Sequence, residues 1–231
     1  MKKISIIVPI LNEENVLPRF LEHLEQFQET EIVIVDGGSG DRSEGILRKW
    51  SARSGNLERI FLSAQRGRGT QMNAGAMRAS GEILLFLHVD TLLPARGIDA
   101  LKEALSRPGV VGGAFRLRVE SPHLFSRLIE TTVNLRSRFL GLPYGDQAIF
   151  VWKKLFECLE GYADFPLMED VDFVRRLKKR GKMVLLQDAV ITSPRRWLRE
   201  GYYYTSLRNL ILLVLYFLGV SPRKLAPWYR F

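Results

Sequence analysis

Apolar runs that alternate with amphipathic helical patterns are the feature that most limits what this chain can fold into. Strand-like runs lie at residues 4–10, 31–35, 57–62 and 83–87, and helical spacing separates them, for example over 16–27. This alternation predicts an α/β fold with a mostly parallel, mixed sheet that is flanked by helices. In such sheets ligands bind beyond the carboxyl ends of the strands.

The second half of the chain is less regular, but the same patterns continue. They predict strands and helices at 112–119 (strand), 124–140 (amphipathic helix, with Leu124, Leu128, Leu135 and Phe139 near one face), 171–179 (helix) and 183–187 (strand). We see no internal repeat and no low-complexity linker. We therefore expect one catalytic domain over 1–200, followed by a C-terminal apolar and basic segment over 201–231.

Charge and cysteine content narrow the class of protein. The net charge of +9 attracts phosphates of any kind, in nucleic acid, anionic lipid or nucleotide. No nucleic-acid-binding motif accompanies that charge, so we expect no nucleic acid partner. Cys158 is the single cysteine, which excludes an intrachain disulfide and a cysteine-based metal site and fits a cytoplasmic protein.

The C-terminal segment has its own composition. Residues 210–220 are apolar throughout, but spanning a bilayer needs about 20 such residues. Basic and aromatic side chains flank the run: Tyr202, Tyr203, Tyr204, Arg208, Arg223, Lys224, Trp228 and Tyr229. Two interpretations stay open, a helix on the inner face of the anionic cell membrane and a helix packed on the core.

Two potential metal ligands follow the fourth apolar run. His88 and Asp90 are two residues apart, so they point the same way if the strand geometry continues through them. A hard cation such as Mg²⁺ or Mn²⁺ needs only one or two protein ligands when substrate phosphates complete its shell. The alternative is an Asp90 that caps a turn beside a hydrogen-bonded His88.

Four stretches in order carry a resemblance to a known family. They are ISIIVPILNEE (4–14), EIVIVDGGSGD (31–41), NAGAMRASGEILLFLHVD (73–90) and MEDVDFVRRLKKRG (168–181). Together they make the chain resemble the family 2 glycosyltransferases, which have the GT-A fold, and in particular a small bacterial subgroup. The resemblance implies a nucleotide-sugar donor, a divalent metal and inversion at the anomeric carbon.

The resemblance also implies where the donor and the metal bind. Asp36 matches the acid that contacts the donor base, and Glu13 lies in the loop that lines the same pocket. Arg66 lies where a basic residue often meets the donor. Asp90 matches the last carboxylate of the family's Asp-x-Asp metal motif, whereas His88 replaces the first, a softer ligand.

Residues of the second half are assigned to catalysis and to the acceptor. Asp170 matches the carboxylate that deprotonates the acceptor, although an aspartate at a helix start is also a common cap. Asp146, Gln147 and Glu169 are expected on the acceptor side, and a plain turn at 144–147 stays open as the alternative for the first two. Arg196 is expected to neutralise the leaving diphosphate, or to be surface charge beside Trp197. Ser193 stands where processive synthases of the family carry glutamine.

These observations together predict an inverting, metal-dependent glycosyltransferase with a lipid, polyprenyl or carotenoid-like acceptor. Two alternatives stay open: a nucleotidyltransferase, which also needs a carboxylate-held metal, and a non-catalytic protein of the membrane surface. A dinucleotide-binding oxidoreductase is disfavoured because the turn after the first strand, at 9–14, has no glycine.

Overall fold

A computed structural model describes residues 3–229 of the chain. Within these residues eight strands form one mixed sheet, in the order β3-β2-β1-β4-β7-β6-β8-β5. Strands β1 to β4 run parallel to one another, whereas β7 runs antiparallel to both of its neighbours, β4 and β6. The strands are β1 Ile4–Ile10, β2 Thr30–Asp36, β3 Glu58–Ser63, β4 Ile83–Phe86, β5 Thr91–Leu92, β6 Val110–Val119, β7 Phe150–Trp152 and β8 Lys182–Thr192.

Helices cover both faces of this sheet. They are α1 Leu17–Leu24, α2 Ser43–Ser51, α3 Arg68–Arg78, α4 Gly97–Ser106, α5 Leu124–Leu140, α6 Lys153–Cys158, α7 Glu169–Lys178, α8 Arg195–Glu200, α9 Tyr202–Phe217 and α10 Pro222–Leu225, with 3₁₀ turns at Gly145–Gln147 and Ala226–Trp228. Alternate side chains of each central strand enter a different apolar cluster, such as Ile6 on one face and Ile7 on the other. The predicted α/β architecture is confirmed.

One expectation about the fourth strand is wrong. β4 ends at Phe86, and the backbone N–H of Thr91 donates to the carbonyl of His88 at 3.0 Å, which closes a turn over 88–91. The alternation of side chains along a strand therefore does not apply to His88 and Asp90. Their common placement comes from the turn instead.

The leucines of α5 face outward. The helix begins and ends where the sequence predicts, but Leu124, Leu128 and Phe139 are exposed, while Ser126 and Ser137 are buried. Polar groups on the inner side explain this, because Asn134 exchanges hydrogen bonds with the backbone of Leu117 in β6 at 2.8 and 3.0 Å. The helix is held to the sheet by these hydrogen bonds together with Phe125, Ile129 and Val133, which pack against the core.

The C-terminal helix α9 has two different faces. Leu212 packs with Val171 of α7 and Leu225 of α10 in a small separate cluster. On the other side, exposed side chains recur at intervals of four and three residues: Tyr203, Leu207, Leu210, Val214 and Phe217. None of the helices in residues 3–229 combines the length and the apolar character that crossing a bilayer requires.

A buried carboxylate connects the two central parallel strands. Glu31 of β2 is fully buried and accepts hydrogen bonds from the hydroxyl of Ser5 in β1 and from the backbone and hydroxyl of Ser80, at 2.8 and 2.7 Å. Ser80 lies in the connection between α3 and β4. One acidic side chain thus fixes β1, β2 and the entry to β4 relative to each other.

Replacing this carboxylate should destabilise the fold. Glu31→Gln should lower the free energy of unfolding by about 2–3 kcal/mol, because the new amide group faces hydrogen-bond donors that need an acceptor. Urea denaturation measures the change. Glu29→Gln is the control, because that side chain is 71% exposed, and it should change stability by at most about 0.5 kcal/mol. Equal stability of Glu31→Gln and the unsubstituted chain would contradict the assignment.

Candidate active site

A cleft of about 530 Å³ opens beyond the carboxyl ends of β1 and β4. Its walls come from the loops after these strands, from the 3₁₀ turn at Gly145–Gln147, and from α7, α8 and α9. The predicted site residues that line it are Glu13, Arg66, His88, Asp90, Asp146, Asp170 and Arg196. The structure thus brings together residues from both halves of the sequence. Asp36, Gln147 and Glu169 lie behind these walls.

A larger cavity of about 830 Å³ lies elsewhere, between α5, β6 and β8. Its lining contains Arg116, Arg118 and Arg138, but none of the catalytic, donor-binding, acceptor-side or metal residues that the sequence predicts. We therefore place the candidate active site in the smaller cleft, where acids and bases of both halves meet.

Asp36 organises the loop after β2. Its carboxylate is 2% exposed and accepts hydrogen bonds from the backbone N–H and the hydroxyl of Ser39. Gln71 of α3 donates to the carbonyls of Ile10 and Val35 at 2.7 and 2.8 Å, which holds the ends of β1 and β2 together. A Cβ at Gly37 would lie 2.9 Å from the Gln71 side chain. This close approach explains why an acid does not follow Asp36 here.

Arg195 connects two of the predicted acids. Its Nη2 lies 2.6 Å from Glu13 Oε1, and its Nε lies 3.0 Å from Asp90 Oδ2. Hydrogen bonds to Glu13, with the charge of Asp90, raise the pKa of Arg195 above its ordinary value. One permanent cation therefore bridges both carboxylates of the cleft.

His88 is half-buried and uncharged. Burial, followed by the charge of Arg68, lowers the pKa of His88 from 6.5 to about 3. Its Nε2 has no hydrogen-bond partner among the described residues. That nitrogen lies against Gly145, where a Cβ would be 2.9 Å away, so glycine is needed for the turn to approach the ring.

The donor set fits a divalent cation that takes part of its shell from a substrate. No group of three or more His, Cys, Asp or Glu side chains in residues 3–229 is arranged to hold a metal ion. Two ligands are present, the unpartnered Nε2 of His88 and the carboxylate of Asp90, and both line the cleft. A metal ligand must be a neutral imidazole, and His88 meets that condition.

Asp170 is held rigidly at the start of α7. Its Oδ2 accepts from the backbone N–H of Gly145 at 2.7 Å, and its Oδ1 accepts from that of Val171 at 2.8 Å. Met168, just before the helix, has a left-handed φ of 66°, which turns the chain into the cleft. The two bonds leave further lone pairs of the carboxylate open to an acceptor.

Glu169 points away from the cleft and pairs with Arg68. It is 1% exposed, and its Oε1 lies 3.2 Å from Arg68 Nη1. Burial raises the pKa of Glu169, although Arg68 opposes the shift. Burial alone would lower the pKa of the Arg68 guanidinium. The negative charges of Glu169, Asp170 and Asp90 outweigh this effect, so the pKa of Arg68 is raised.

Asp146 and Gln147 have different environments. Gln147 is fully buried and engaged: its Nε2 donates to the carbonyl of Phe115 at 3.0 Å, and its Oε1 accepts from Ser137 Oγ at 2.6 Å. Asp146 lines the cleft, and its Oδ1 is buried without a partner among the described residues. Burial, opposed by Arg136, raises the pKa of Asp146 from 3.8 to about 6.

Two arginines complete the walls. Arg66 is exposed at the rim, whereas Arg196 is half-buried, with its guanidinium carbon 4.8 Å from the centre of the Tyr229 ring. Burial, followed by the charge of Arg68, lowers the pKa of Arg196. Excess positive charge on this side of the cleft favours an anionic ligand.

Sequence reasoning missed three residues that shape the site: Arg68, Gln71 and Arg195 as a bridge. Arg195 is visible in the sequence as half of a basic pair, but its two carboxylate partners are distant in the chain. Gln71 carries no sequence signal, because its role depends on two carbonyls at strand ends.

Comparison with protein families gives one match that covers most of the chain. The model of glycosyl transferase family 2 matches residues 5–158. Among curated proteins, undecaprenyl-phosphate 4-deoxy-4-formamido-L-arabinose transferases are similar: that of Photorhabdus laumondii is 26% identical, and that of Pectobacterium atrosepticum is 28% identical. Each alignment covers 97% of this chain and 70% of the relative.

Solved structures share the fold at lower identity. A mannosyltransferase of Pyrobaculum calidifontis, in complex with GDP-Man and Mn²⁺, superposes with a TM-score of 0.71 at 18% identity, over 98% of this chain and 68% of that one. Glucosyl-3-phosphoglycerate synthase of Mycobacterium tuberculosis, with Mn²⁺ and UDP, gives 0.61 at 17% identity, over 95% and 80%. The predicted GT-A fold is confirmed by these likenesses.

The raised pKa of Asp146 predicts a measurable pH dependence. The folded chain holds its proton between about pH 4 and 6, where the unfolded chain has lost it, so this group's contribution to stability falls as the pH rises through that window. Asp146→Asn removes the effect. The free energy of unfolding of the variant, minus that of the unsubstituted chain, should rise by up to about 3 kcal/mol from about pH 4 to pH 7.

Urea denaturation across this pH range measures that difference. Asp164→Asn is the control, because the Asp164 side chain is 90% exposed. A difference that does not vary with pH would show that Asp146 titrates as an ordinary aspartate.

Proposed function

The chain belongs to glycosyl transferase family 2, and from that premise we propose that it moves one sugar from a nucleoside-diphosphate sugar to the phosphate of a polyprenyl lipid, with inversion. The observation that carries the proposal is the cleft itself, in which Asp90 and Asp170 face a shared space walled by arginines. The relatives named above act, by their names, on undecaprenyl phosphate, which supports a lipid acceptor.

The donor occupies the side of the cleft formed by the first half of the chain. Glu13 lies in the loop after β1, and Asp36 is the last residue of β2. Asn12 connects the loops after these two strands by accepting from Gly40 N at 2.8 Å. In our proposal these loops hold the nucleoside, and Arg66 meets the diphosphate. Arg195 must release Glu13 or Asp90 when the donor binds, and Arg196 then neutralises the departing diphosphate.

Asp90 and His88 would hold the divalent cation, Mg²⁺ or Mn²⁺. When bound, the cation neutralises charge on the leaving diphosphate without a proton transfer. The neutral imidazole of His88 favours the softer of the two ions, Mn²⁺. Gly145 leaves room beside the imidazole, because a Cβ at that position would lie 2.9 Å from Nε2.

Asp170 acts on the attacking oxygen of the acceptor. Its carboxylate, oriented by Gly145 N and Val171 N, accepts the proton that this oxygen still carries. A hydroxyl loses its proton only during attack, whereas a phosphate monoester has lost its second proton above about pH 6. The acceptor class therefore determines how much the reaction depends on Asp170. Asp146 lines the same cleft as Asp170, and we place it on the acceptor side.

The C-terminal segment brings this site to the lipid. We propose that residues 1–200 form the catalytic unit and that 201–231 contact the inner face of the cell membrane; residues 230 and 231 lie outside the described part. The exposed apolar side chains of α9 form one stripe, and basic side chains such as Arg223 lie nearby. Membrane association agrees with the lipid acceptors of the relatives.

Turnover with a defined acceptor tests the function. Nucleoside-diphosphate sugars, Mn²⁺ and vesicles that contain undecaprenyl phosphate should together give nucleoside diphosphate and a glycosylated lipid phosphate. Release of pyrophosphate would instead identify a nucleotidyltransferase. Absence of any donor turnover, with binding to vesicles retained, would identify a non-catalytic membrane protein.

The same assay tests Asp170. With undecaprenyl phosphate, Asp170→Asn should reduce turnover less than about tenfold at about pH 8 and much more at about pH 5.5, where the phosphate is protonated. A base that removes a proton contributes about 10²–10⁴-fold. Asp172→Asn, two residues further along α7 and paired with Arg176, is the control. A defect of the same size at every pH would remove Asp170 from proton transfer.

Binding to vesicles tests the stripe on α9. The double substitution Leu210→Glu with Val214→Glu should reduce the fraction bound to vesicles of phosphatidylcholine and phosphatidylglycerol by roughly tenfold or more, because burial of both side chains is lost. Co-sedimentation measures this fraction. Met77→Glu changes a still more exposed apolar residue, on α3, and this variant should bind as before. Unchanged binding of the double variant would show that α9 does not contact the bilayer.

A further inference from the structure

The inner face of α9 carries polar groups that nothing in the described chain satisfies. Thr205, Arg208 and Asn209 are three and four residues apart, so they share one side of the helix. Thr205 is fully buried and Arg208 is 7% exposed. Thr205 Oγ1, Arg208 Nε, Arg208 Nη1 and Asn209 Oδ1 have no hydrogen-bond partner among residues 3–229.

Such a cluster points to a ligand. Buried polar atoms are almost always hydrogen-bonded in native proteins, because an unmet donor loses its bond to water without replacement. Arg208 and Thr205 offer donors, and the amide of Asn209 can offer either a donor or an acceptor. Asn209 also lines the catalytic cleft. The missing partner is therefore an acceptor-rich group that reaches the cleft.

The local charge is positive. Arg208 Nη2 lies 2.7 Å from Glu200 Oε2, but Arg199 pairs with the same carboxylate, at 2.9 Å from Oε1. Arg196 and Arg208 both approach the ring of Tyr229, with guanidinium carbons 4.8 and 5.0 Å from its centre. Two guanidinium groups thus pair with one acid, and that of Arg196 lies against the same ring as Arg208. A phosphate supplies both the negative charge and the acceptors that this cluster lacks.

An apolar groove leads to the same arginine. A cavity of about 360 Å³ lies between α9 and the 3₁₀ turn at Ala226–Trp228, and Arg208 is part of its wall. The other walls are Tyr204, Leu207, Ile211, Pro227 and Trp228. An apolar groove that ends at a buried cation matches a molecule with a hydrocarbon chain and an anionic head.

We propose that Arg208, Thr205 and Asn209, with Arg196, bind the phosphate of a prenyl phosphate acceptor, and that the groove along α9 binds the first isoprene units of its chain. This inference rests on the proposed function and assigns its acceptor site. The outer stripe of α9 contacts the membrane, so a lipid phosphate passes along one helix from the bilayer to the cleft.

Binding of a short, water-soluble acceptor tests the site. Isothermal titration calorimetry with the full-length chain compares geranyl phosphate, geraniol and inorganic phosphate. Geranyl phosphate should bind roughly tenfold or more tightly than either of the others, because it alone fills both groove and cluster. Equal affinity for inorganic phosphate would overturn the role of the groove, and equal affinity for geraniol would overturn the role of the cluster.

Substitutions separate the two parts of the site. Arg208→Gln should lower the affinity for geranyl phosphate by roughly tenfold to a hundredfold and leave the affinity for geraniol unchanged. Trp228→Ala should lower the affinities for geranyl phosphate and geraniol but not the affinity for inorganic phosphate. Arg223→Gln removes an exposed charge of the same segment and should leave the affinities for all three ligands unchanged. Unaltered binding of geranyl phosphate to Arg208→Gln would overturn the proposal.

A second variant covers the case in which Arg208→Gln does not fold, since that change leaves Glu200 without its partner. Arg208→Gln combined with Glu200→Gln removes the ion pair as a unit. The double variant should show the same loss of geranyl phosphate binding with an unchanged thermal midpoint; retained binding would overturn the proposal.

Kinetics distinguish a failed site from a failed function. Under the proposal, Arg208→Gln raises the KM for undecaprenyl phosphate roughly tenfold or more, while the Kd for the nucleotide sugar stays the same. If transfer occurs and this KM does not change, our assignment of the acceptor site is wrong and the proposed function is retained. If no sugar is transferred but geranyl phosphate still binds through Arg208, the site stands and the function is wrong.

Discussion

The pairing of β4 on both of its edges is the constraint on which the site depends. This short, fully buried strand is parallel to β1 and antiparallel to β7, so it joins the two halves of the sheet. At its end, Phe86 N donates to Ile149 O and Leu87 N donates to Ile7 O, both at 2.9 Å. The turn that follows, with His88 and Asp90, is therefore fixed between the donor loops and the 3₁₀ turn that contacts Asp170.

Charge balance gives the cleft its second constraint. Carboxylates gathered at strand ends repel each other unless cations lie among them, and here arginines from distant parts of the chain provide that charge. Arg195 pairs with Glu13 and Asp90, and Arg68 pairs with Glu169. Arg195 is the more exposed of the two, so its pairs are the ones a diphosphate and its cation can replace. Arg68 also lines the cleft, but its pair with the buried Glu169 joins α3 to α7.

Sequence patterns predict this fold further than they predict the site. Periodicity locates the main strands and helices and gives the bounds of α5, because spacing depends on local geometry. It does not show that α5 turns its leucines outward, since that depends on Asn134 and the edge of β6. For the site, motif resemblance selects residues that line one cleft, but the engagement of Gln147 within the wall depends on contacts across the fold.

The two faces of helix α9 suit two different environments, an apolar one outside and a polar one inside. A helix with an apolar outer stripe alone would bind a bilayer wherever the rest of the chain lay, and one with only an inner polar face would pack on the cleft without contact to lipid. Here Leu210 and Val214 lie outside while Arg208 and Asn209 lie inside, less than two turns apart. Because the helix is rigid over this distance, the membrane contact that we propose would also set the depth of the cleft below the lipid head groups. The inner polar side chains would then meet a phosphate at the level at which lipids present one.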